Sequence, residues 1–479
     1  MNKDLDIYYK AYAARDARFD GVFYIGVTST GIYCRPICKA KMPKRENCRF
    51  FKSPEAAEKE FFRPCLRCRP ERAPRNPHAD HVHRIANWII EEEYLDEKTC
   101  LEEVAQEFGL SSRQMRRIIQ TEFGLPPIAL LLTRRLWLAR QLLTETHLSI
   151  IEIAFASGFS SLRRFNDAFK KHYKMPPSYI RKPQIHQTLS SEKITLHLHY
   201  RPPFNWVTLL NFLQNRMIEG VESIEEGHYS RTVQISKHKG WIRVSNVQEN
   251  HALKVEISLS LTPVLAILLT RIRHLFDLNA RPDLITAHLS QDPLLAADVL
   301  KNPGLRVPGA FDGFEISLRA ILGQQITVKA ATTLASRLVK TFGETIETPF
   351  PQLHYLFPTA QSIISVPTEK IAALGIIRSR AQSILALADE ISSQRLQLNG
   401  HADPEKTINQ LISIPGIGKW TAHYIAMRAL RWPDAFPKED TVLRKRLGGV
   451  SAKQADMLSQ AWRPWRSYAT LYLWSKTST

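Results

Sequence analysis

The chain has 479 residues and a formal charge of +19, from 65 Lys and Arg against 46 Asp and Glu. Domains usually run to about 100–200 residues before a chain splits, so three or four are expected. The positive charge is shared rather than confined to a tail: residues 1–182 hold 32 Lys and Arg against 22 Asp and Glu, and a polyanion is the natural partner. No apolar run approaches the ~18 residues of a spanning helix, and the start, Met1-Asn2-Lys3-Asp4, lacks a signal-peptide apolar core. A soluble, cytoplasmic protein that does not engage membrane is expected.

Residues 1–77 are rich in Arg, Lys, aromatics and Cys, and end in Glu71-Arg72-Ala73-Pro74-Arg75-Asn76-Pro77, which reads as a linker. Six cysteines are too few for a disulfide scaffold in this length, and four of them form two close pairs. Cys34-Arg35-Pro36-Ile37-Cys38 and Cys65-Leu66-Arg67-Cys68 have the spacing of metal ligands, and one tetrahedral Zn²⁺ held by Cys34, Cys38, Cys65 and Cys68 is the expected occupant. No organic cofactor is expected. Cys48 and Cys100 fall outside the pattern and are expected to be small core residues.

A purely structural zinc module would satisfy that spacing. Thr30-Gly31-Ile32-Tyr33 leading into the first pair, Arg45-Glu46-Asn47, and Phe62-Arg63-Pro64 leading into the second pair resemble the methylphosphotriester-accepting domain of the Ada adaptive-response proteins. The resemblance implies that Cys34 is both a zinc ligand and the methyl acceptor. Four thiolates around one Zn²⁺ carry a net charge of about −2, which keeps sulfur ionised and nucleophilic. A methylphosphotriester has lost its negative charge, so an anionic cluster approaches it and is repelled by ordinary phosphodiesters. Methylation removes one negative charge, and attraction to the DNA backbone should rise. Arg63, Lys39, Lys41, Lys44 and Arg45 are candidate phosphate contacts, or else a solvated basic surface.

Residues 80–182 read as all-helical. A helix from Leu101, a turn at Gly109 and a second helix from Ser112 to Glu122 make a helix-turn-helix, and the same grammar recurs from Ile150 through Gly158 to the helix Ser161–His172. A linker helix near 128–144 would set the two units on successive major grooves. The stretch resembles the AraC-type DNA-binding domain, including Phe165, Phe169 and Pro176-Pro177-Ser178-Tyr179, which implies promoter DNA and RNA polymerase as partners. Arg113, Gln114, Arg116 and Arg117 in the first recognition helix, and Arg163, Arg164 and Asn166 in the second, are the candidate DNA contacts. Phe108, Phe159 and Phe165 are expected in the core.

Residues 190–300 alternate strand-like stretches, such as Ile194-Thr195-Leu196-His197-Leu198 and Trp241-Ile242-Arg243-Val244, with helices, as an α+β domain does. Residues 301–479 return to helices. The expected fold is thus multidomain α+β: a small zinc domain, an all-α double helix-turn-helix, an α+β domain and an all-α domain. In the last, Ile414-Pro415-Gly416-Ile417-Gly418-Lys419 forms a hairpin between two helices, and Gly416 and Gly418 leave backbone N–H groups open to a phosphate. Downstream, Phe436-Pro437-Lys438-Glu439-Asp440-Thr441 sets a carboxylate at a helix start.

Over 190–479 the chain resembles DNA-3-methyladenine glycosylase II of the helix-hairpin-helix family, matching at Phe311-Asp312-Gly313-Phe314-Glu315, Ala320-Ile321-Leu322-Gly323-Gln324, the hairpin, and Arg463-Pro464-Trp465-Arg466-Ser467-Tyr468-Ala469. The resemblance implies Asp440 as the catalytic aspartate, a base pocket of Trp420, Tyr424 and Trp474, and Gln324 and Gln325 against the DNA. An alkylated purine carries positive charge and leaves without a strong acid; it needs aromatic faces, worth ~0.5–2 kcal/mol each by cation–π contact, and an anion beneath an oxocarbenium-like sugar. The base must first be flipped out of the stack. Asp440 could instead serve only as the N-cap of the helix that follows.

Bifunctional relatives place a Schiff-base lysine where this chain has Trp420, so a monofunctional hydrolase is expected. Gln325 stands where the family often has an apolar wedge. Direct reversal of O6-methylguanine is not expected, because no Pro-Cys-His-Arg signature is present and no cysteine follows Cys100. A monomer acting on duplex DNA, both damaged and promoter, is expected to combine regulation with repair; the alternative is a transcription factor whose C-terminal half only clamps DNA.

Overall fold

A computed structural model describes residues 2–70, 73, 102, 105, 106, 108–123, 125–181 and 193–475. These gather into two compact units: one running up to residue 202 together with 247–270 and 278–280, the other 203–246, 271–277 and from 281 onward. Helix and sheet are both present, as the expected multidomain α+β fold requires. Cys100 lies outside the described residues.

The first unit begins with the helix Asn2–Ala13 and a four-stranded sheet ordered Cys48–Phe51, Tyr24–Val27, Ile32–Cys34, Arg63–Pro64. The first three strands pair antiparallel and the last runs parallel to Ile32–Cys34. This register sets Cys34 opposite Ile25 and brings Pro64, the neighbour of Cys65, beside Tyr33. Sequence-distant cysteines are thereby carried to one end of the sheet. Gly26 has no alternative, since a Cβ there would lie 2.7 Å from the Phe51 ring and 2.9 Å from Phe62. Stacked Tyr8 and Phe23 rings, 4.3 Å apart, close the other side of this small core.

Where it is described, the helical part follows the duplicated grammar of the sequence; the helix expected from Leu101 lies partly outside the described residues. Helices Ser112–Phe123 and Leu162–Tyr173 are the two second helices, and both preceding turns hold a left-handed glycine, Gly109 at φ 64° and Gly158 at φ 82°. Glycine reaches that region without a Cβ penalty. Ser149 and Glu152 form a reciprocal capping box on the helix Ile150–Ala156, satisfying donors that the first turn leaves open. The linker helix Pro127–Glu145 buries Leu130, Leu136, Ala139, Leu142 and Leu143. Phe165, Phe169 and Tyr173 recur along one face of Leu162–Tyr173 and are buried, as are Phe108 and Phe159. The strand Lys193–His199 then pairs antiparallel with Ala252–Ser258, with Ile194, Leu196 and Leu198 inward and polar residues between them.

The second unit carries an antiparallel meander, Glu222–Glu225, His228–Ile235 and His238–Val247. The rest is helical. Helix Gly313–Leu322 is buried on nearly every side and packs against Lys419–Arg428, the second helix of the hairpin. Pro404–Ser413 is the first, N-capped by Asp403 and led by Pro404. Helices Thr441–Arg446 and Arg466–Ser475 pack together and bring Asp440 and Trp474 to the hairpin helix. Among the described residues no helix is long and apolar enough to cross a membrane.

Candidate functional site

The four sulfurs of Cys34, Cys38, Cys65 and Cys68 all lie within 4.8 Å of one another. Four sulfurs about 2.3 Å from one ion in tetrahedral array stand roughly 3.8 Å apart, so this donor set fits Zn²⁺. The backbone builds it: Cys38 N–H donates to Arg35 O, and Cys65 N–H donates to Tyr33 O. Cys34 is 4% exposed, while Cys68 is only half-buried. Burial, with the charge of the neighbouring sulfurs added, pushes the Tyr12 phenol well above its ordinary range. Cys48 is a buried core thiol, raised by burial against the opposing pull of Arg45.

Arg35, which the spacing of the cysteines did not single out, braces this centre. It is 2% exposed, its backbone N–H lies 3.3 Å from Cys68 Sγ, its Nη1 donates to the Cys68 carbonyl at 3.0 Å, and its Nε donates to Asp20 Oδ1 at 2.8 Å. A buried cation beside thiolates offsets part of their mutual repulsion. The signal was its place between the paired cysteines. A second set of contacts reaches the linker helix: Arg140, 1% exposed, donates to the Cys65 carbonyl, and Glu58 accepts from Tyr33 and Trp137 and pairs with His172. Periodicity could not reveal the contacts to the linker helix, because Arg140 and Cys65 lie 75 residues apart and Trp137 and Glu58 lie 79.

Lys39, Lys41, Lys44 and Arg63 are exposed. Arg45 is not a free surface cation: its guanidinium lies over the Phe50 ring at 5.0 Å and the Tyr9 ring at 5.8 Å. In the recognition helices Arg113, Arg116, Arg117, Arg163 and Arg164 point to solvent. Asn166 is half-buried, and the Gln114 side chain accepts from Ser111 N–H and Oγ, so it caps its own helix.

Asp440 is the N-cap of Thr441–Arg446, its Oδ1 accepting from Leu443 N–H at 2.7 Å. It is also more than a cap. Trp420 Nε1 donates to Oδ2 at 2.8 Å and Trp474 Nε1 donates to Oδ1 at 3.2 Å, leaving the carboxylate 9% exposed. Trp420 stacks on Tyr424 with centroids 5.3 Å apart and planes 12° from parallel, and Tyr424 lies 6.3 Å from Trp474. The anion and the three rings expected of a base pocket are thus one constellation. Burial raises the Tyr424 phenol, but the guanidiniums of Arg428, Arg216 and Arg319 outweigh it and bring it below the ordinary tyrosine value.

In the hairpin, Gly416 has φ 84°, and a Cβ would lie 2.1 Å from Ser383 Oγ; at Gly418 a Cβ would meet nothing within 4 Å. Gln324 is held inward, its Nε2 donating to the Gly416 carbonyl at 2.9 Å and to Thr421 Oγ1 at 3.0 Å. Its amide therefore fixes the hairpin. Gln325 is exposed at φ 55°, a left-handed conformation in a residue with a Cβ, between Gly313–Leu322 and Val328–Phe342.

These sites define a class: a helix-hairpin-helix repair glycosylase carried with a metal-binding and helix-turn-helix half. Family models agree, segment by segment: the metal binding domain of Ada over residues 7–71, a helix-turn-helix domain over 104–183, the AlkA N-terminal domain over 195–312, and the HhH-GPD superfamily of base excision DNA repair proteins over 318–467. The chain is 34% identical, over 99% of its length and 97% of the relative's, to a probable bifunctional transcriptional activator/DNA repair enzyme AlkA of Mycobacterium tuberculosis. It is 34% identical to DNA-3-methyladenine glycosylase 2 of Escherichia coli, covering 58% of this chain and 95% of that one. A 3-methyladenine DNA-glycosylase from Archaeoglobus fulgidus shares the fold, with a TM-score of 0.52 at 22% identity over 58% of this chain and 96% of that one. The chain belongs to the family of bifunctional transcriptional activator/DNA repair enzymes, with an Ada-type metal-binding domain, a helix-turn-helix domain and a DNA-3-methyladenine glycosylase in one polypeptide.

Proposed function

We propose that this protein hydrolyses the N-glycosidic bond of alkylated bases such as 3-methyladenine through Asp440, and accepts methyl groups from DNA methylphosphotriesters on Cys34. The observation that carries the first activity is the carboxylate of Asp440 held by the indole N–H groups of Trp420 and Trp474. In the low-dielectric site this anion stabilises positive charge developing on the sugar. Trp420, Tyr424 and Trp474 receive the flipped base. Gly416 and Gly418 present the hairpin backbone to a phosphate, and the free space over Gly418 admits it. Exposed Gln325, rather than Gln324, fills the gap left by the base. With Trp420 donating to Asp440 in the Schiff-base position, the reaction is hydrolysis without strand cleavage.

On the other half, Zn²⁺ when bound holds Cys34, Cys38, Cys65 and Cys68 as thiolates and supports their nucleophilicity. The Cys34 sulfur takes the methyl carbon in one displacement, the phosphate leaves as a diester anion, and DNA attraction rises. Arg63, Lys39, Lys41 and Lys44 contact phosphates, and Arg113, Arg116, Arg163 and Arg164 contact promoter DNA. The domains run over 1–77, 80–182, 190–300 and 301–479. The protein binds one Zn²⁺ and no organic cofactor, and acts as a monomer on the nucleoid with RNA polymerase as partner.

The test is base release from methylated duplex DNA by the full chain, with peptide mass analysis of Cys34 in the same sample. Free methylated base and a methylated Cys34 peptide are expected. Tight DNA binding without base release would refute the first activity, and a methyl group on another residue would refute the second.

A further inference from the structure

The strand Lys193–His199 leads into the segment that matches the AlkA N-terminal domain and stands at the edge of its sheet, beside Ala252–Ser258. An edge strand leaves a row of backbone N–H and C=O groups without strand partners. Here the linker helix Pro127–Glu145 meets both groups of His197. Glu145 Oε2 accepts from its N–H at 2.9 Å and lies 3.1 Å from its ring Nδ1, and Gln141 Nε2 donates to its carbonyl at 3.2 Å. The adjacent helix residue, Arg140, donates to the Cys65 carbonyl, and Thr144 accepts from Arg69, the residue after Cys68. One helix therefore grips the second cysteine pair and the sheet edge together.

A second route leaves the same strand two residues past its end. Arg201, fully buried, donates from Nε to the Asp20 carbonyl at 2.8 Å and from Nη1 to the Asn279 and Ala280 carbonyls at 2.7 and 3.3 Å. The Asp20 carboxylate in turn holds Arg35, which donates to the Cys68 carbonyl and lies against the Cys68 sulfur. All of these residues belong to the first compact unit. Both routes thus end on the loop from Cys65 to Cys68, which bound Zn²⁺ would fix through its two sulfurs. Buried guanidiniums do not give up acceptors cheaply, so Arg140 and Arg35 must follow that loop, and the linker helix and Asp20 follow with them. We infer that Arg201 on one route, and Gln141 and Glu145 on the other, couple the zinc centre to the sheet of the repair half, so that metal occupancy at the cysteines sets how firmly Lys193–His199 and the turn at Asn279-Ala280 are held. The coupling is reciprocal: groups on the repair half set how tightly the cysteines hold the metal.

This inference rests on the reading that Cys34, Cys38, Cys65 and Cys68 hold Zn²⁺, and the test separates the two. Amide hydrogen exchange is followed in the full chain, zinc-loaded and chelator-stripped, over residues 193–201 and across Asn279-Ala280, with the hairpin helices Pro404–Ser413 and Lys419–Arg428 as reference. Stripping should accelerate exchange at the first two sites by about fivefold or more, the lower end of ordinary coupling between sites, and leave the hairpin unchanged. Arg201→Met keeps a long apolar stem and removes the donors. It should weaken Zn²⁺ in competition with a chromogenic chelator by a similar factor, although no cysteine is altered. Gln141→Leu cuts the other route and should act in the same direction, so the affinity arm does not depend on one variant's folding. Exchange that rises only within residues 1–70, equal acceleration in the hairpin, or wild-type zinc affinity in both folded variants overturns the inference. A wild-type chain that retains no Zn²⁺ overturns the metal reading, and the inference with it.

Discussion

Replacing Asp440 by Asn removes a charge while nearly keeping a shape, and so tests whether the carboxylate does more than cap a helix. Asp440 accepts three hydrogen bonds, from Leu443 N–H at 2.7 Å, Trp420 Nε1 at 2.8 Å and Trp474 Nε1 at 3.2 Å. Asn is as good an N-cap as Asp, so the Leu443 bond survives through its oxygen. Its amide nitrogen cannot accept, and one buried indole N–H is left unpaired at a cost of about 1–3 kcal/mol. The loss of the anion beneath the sugar is larger in its effect on rate: a single preorganised electrostatic group removed from an active site costs about 2.7–4 kcal/mol, or roughly 10²–10³ in turnover. Single-turnover release of 3-methyladenine, measured beside thermal unfolding of the same samples, separates the two effects. Asp440→Ala adds the loss of the cap, about 1 kcal/mol of further stability, with little further loss of rate. A folded Asp440→Asn protein releasing base within about threefold of wild type would refute the electrostatic role.

Gly416→Ala should destabilise the second unit by about 1–2 kcal/mol or more, from its left-handed φ and the collision with Ser383 Oγ, read as a shift in the denaturation midpoint. Gly418→Ala should cost the fold no more than about 1 kcal/mol yet weaken duplex binding in a fluorescence anisotropy titration, because its new methyl meets no protein atom within 4 Å; unchanged binding would remove Gly418 from the phosphate site. Burial raises the Asp277 carboxyl to about 6 against the partial opposition of Arg306 and of hydrogen bonds from Tyr468 and Val307. The folded state then holds this proton more tightly than the unfolded chain. Its contribution is fully present below the unfolded value of 3.8 and is lost as pH rises through about 6, amounting to at most about 3 kcal/mol. Asp277→Asn should therefore raise the melting temperature at pH 7 and flatten its pH dependence across that window; an unaltered profile would contradict this. Arg140→Met should leave the Cys65 carbonyl without this donor and cost about 1–3 kcal/mol, with faster amide hydrogen exchange around Cys65 as the local readout.

The helix-turn-helix repeats, the cysteine pairs, the hairpin turn and the carboxylate at Asp440 were legible in the sequence because each depends on residues close along the chain. A left-handed turn at Gly109 or Gly158, a Cys-x₃-Cys pair and an N-cap are local physics, written in a few consecutive positions. Arg45 and Gln114 read as candidate DNA contacts from residue type, and Gln324 from resemblance. The fold adds intramolecular partners that neither could show: Arg45 lies over the rings of Phe50 and Tyr9, and Gln324 donates to the hairpin carbonyl. Gln114 caps Ser111 in its own first turn.

That the chain carries a metal-binding cluster was thus determined by the sequence itself, through the spacing of its cysteines, and its helix-hairpin-helix glycosylase was legible there through the hairpin motif together with resemblance to a family. What surrounds those motifs was decided by the fold. Arg35 and Asp20 beside the sulfurs, Arg140 on the Cys65 carbonyl, and the cluster of Arg216, Arg319 and Arg428 around Tyr424 bring together groups tens to hundreds of residues apart. Charges buried at that separation have no period and no motif, and their energies exist only once the solvent between them has been excluded.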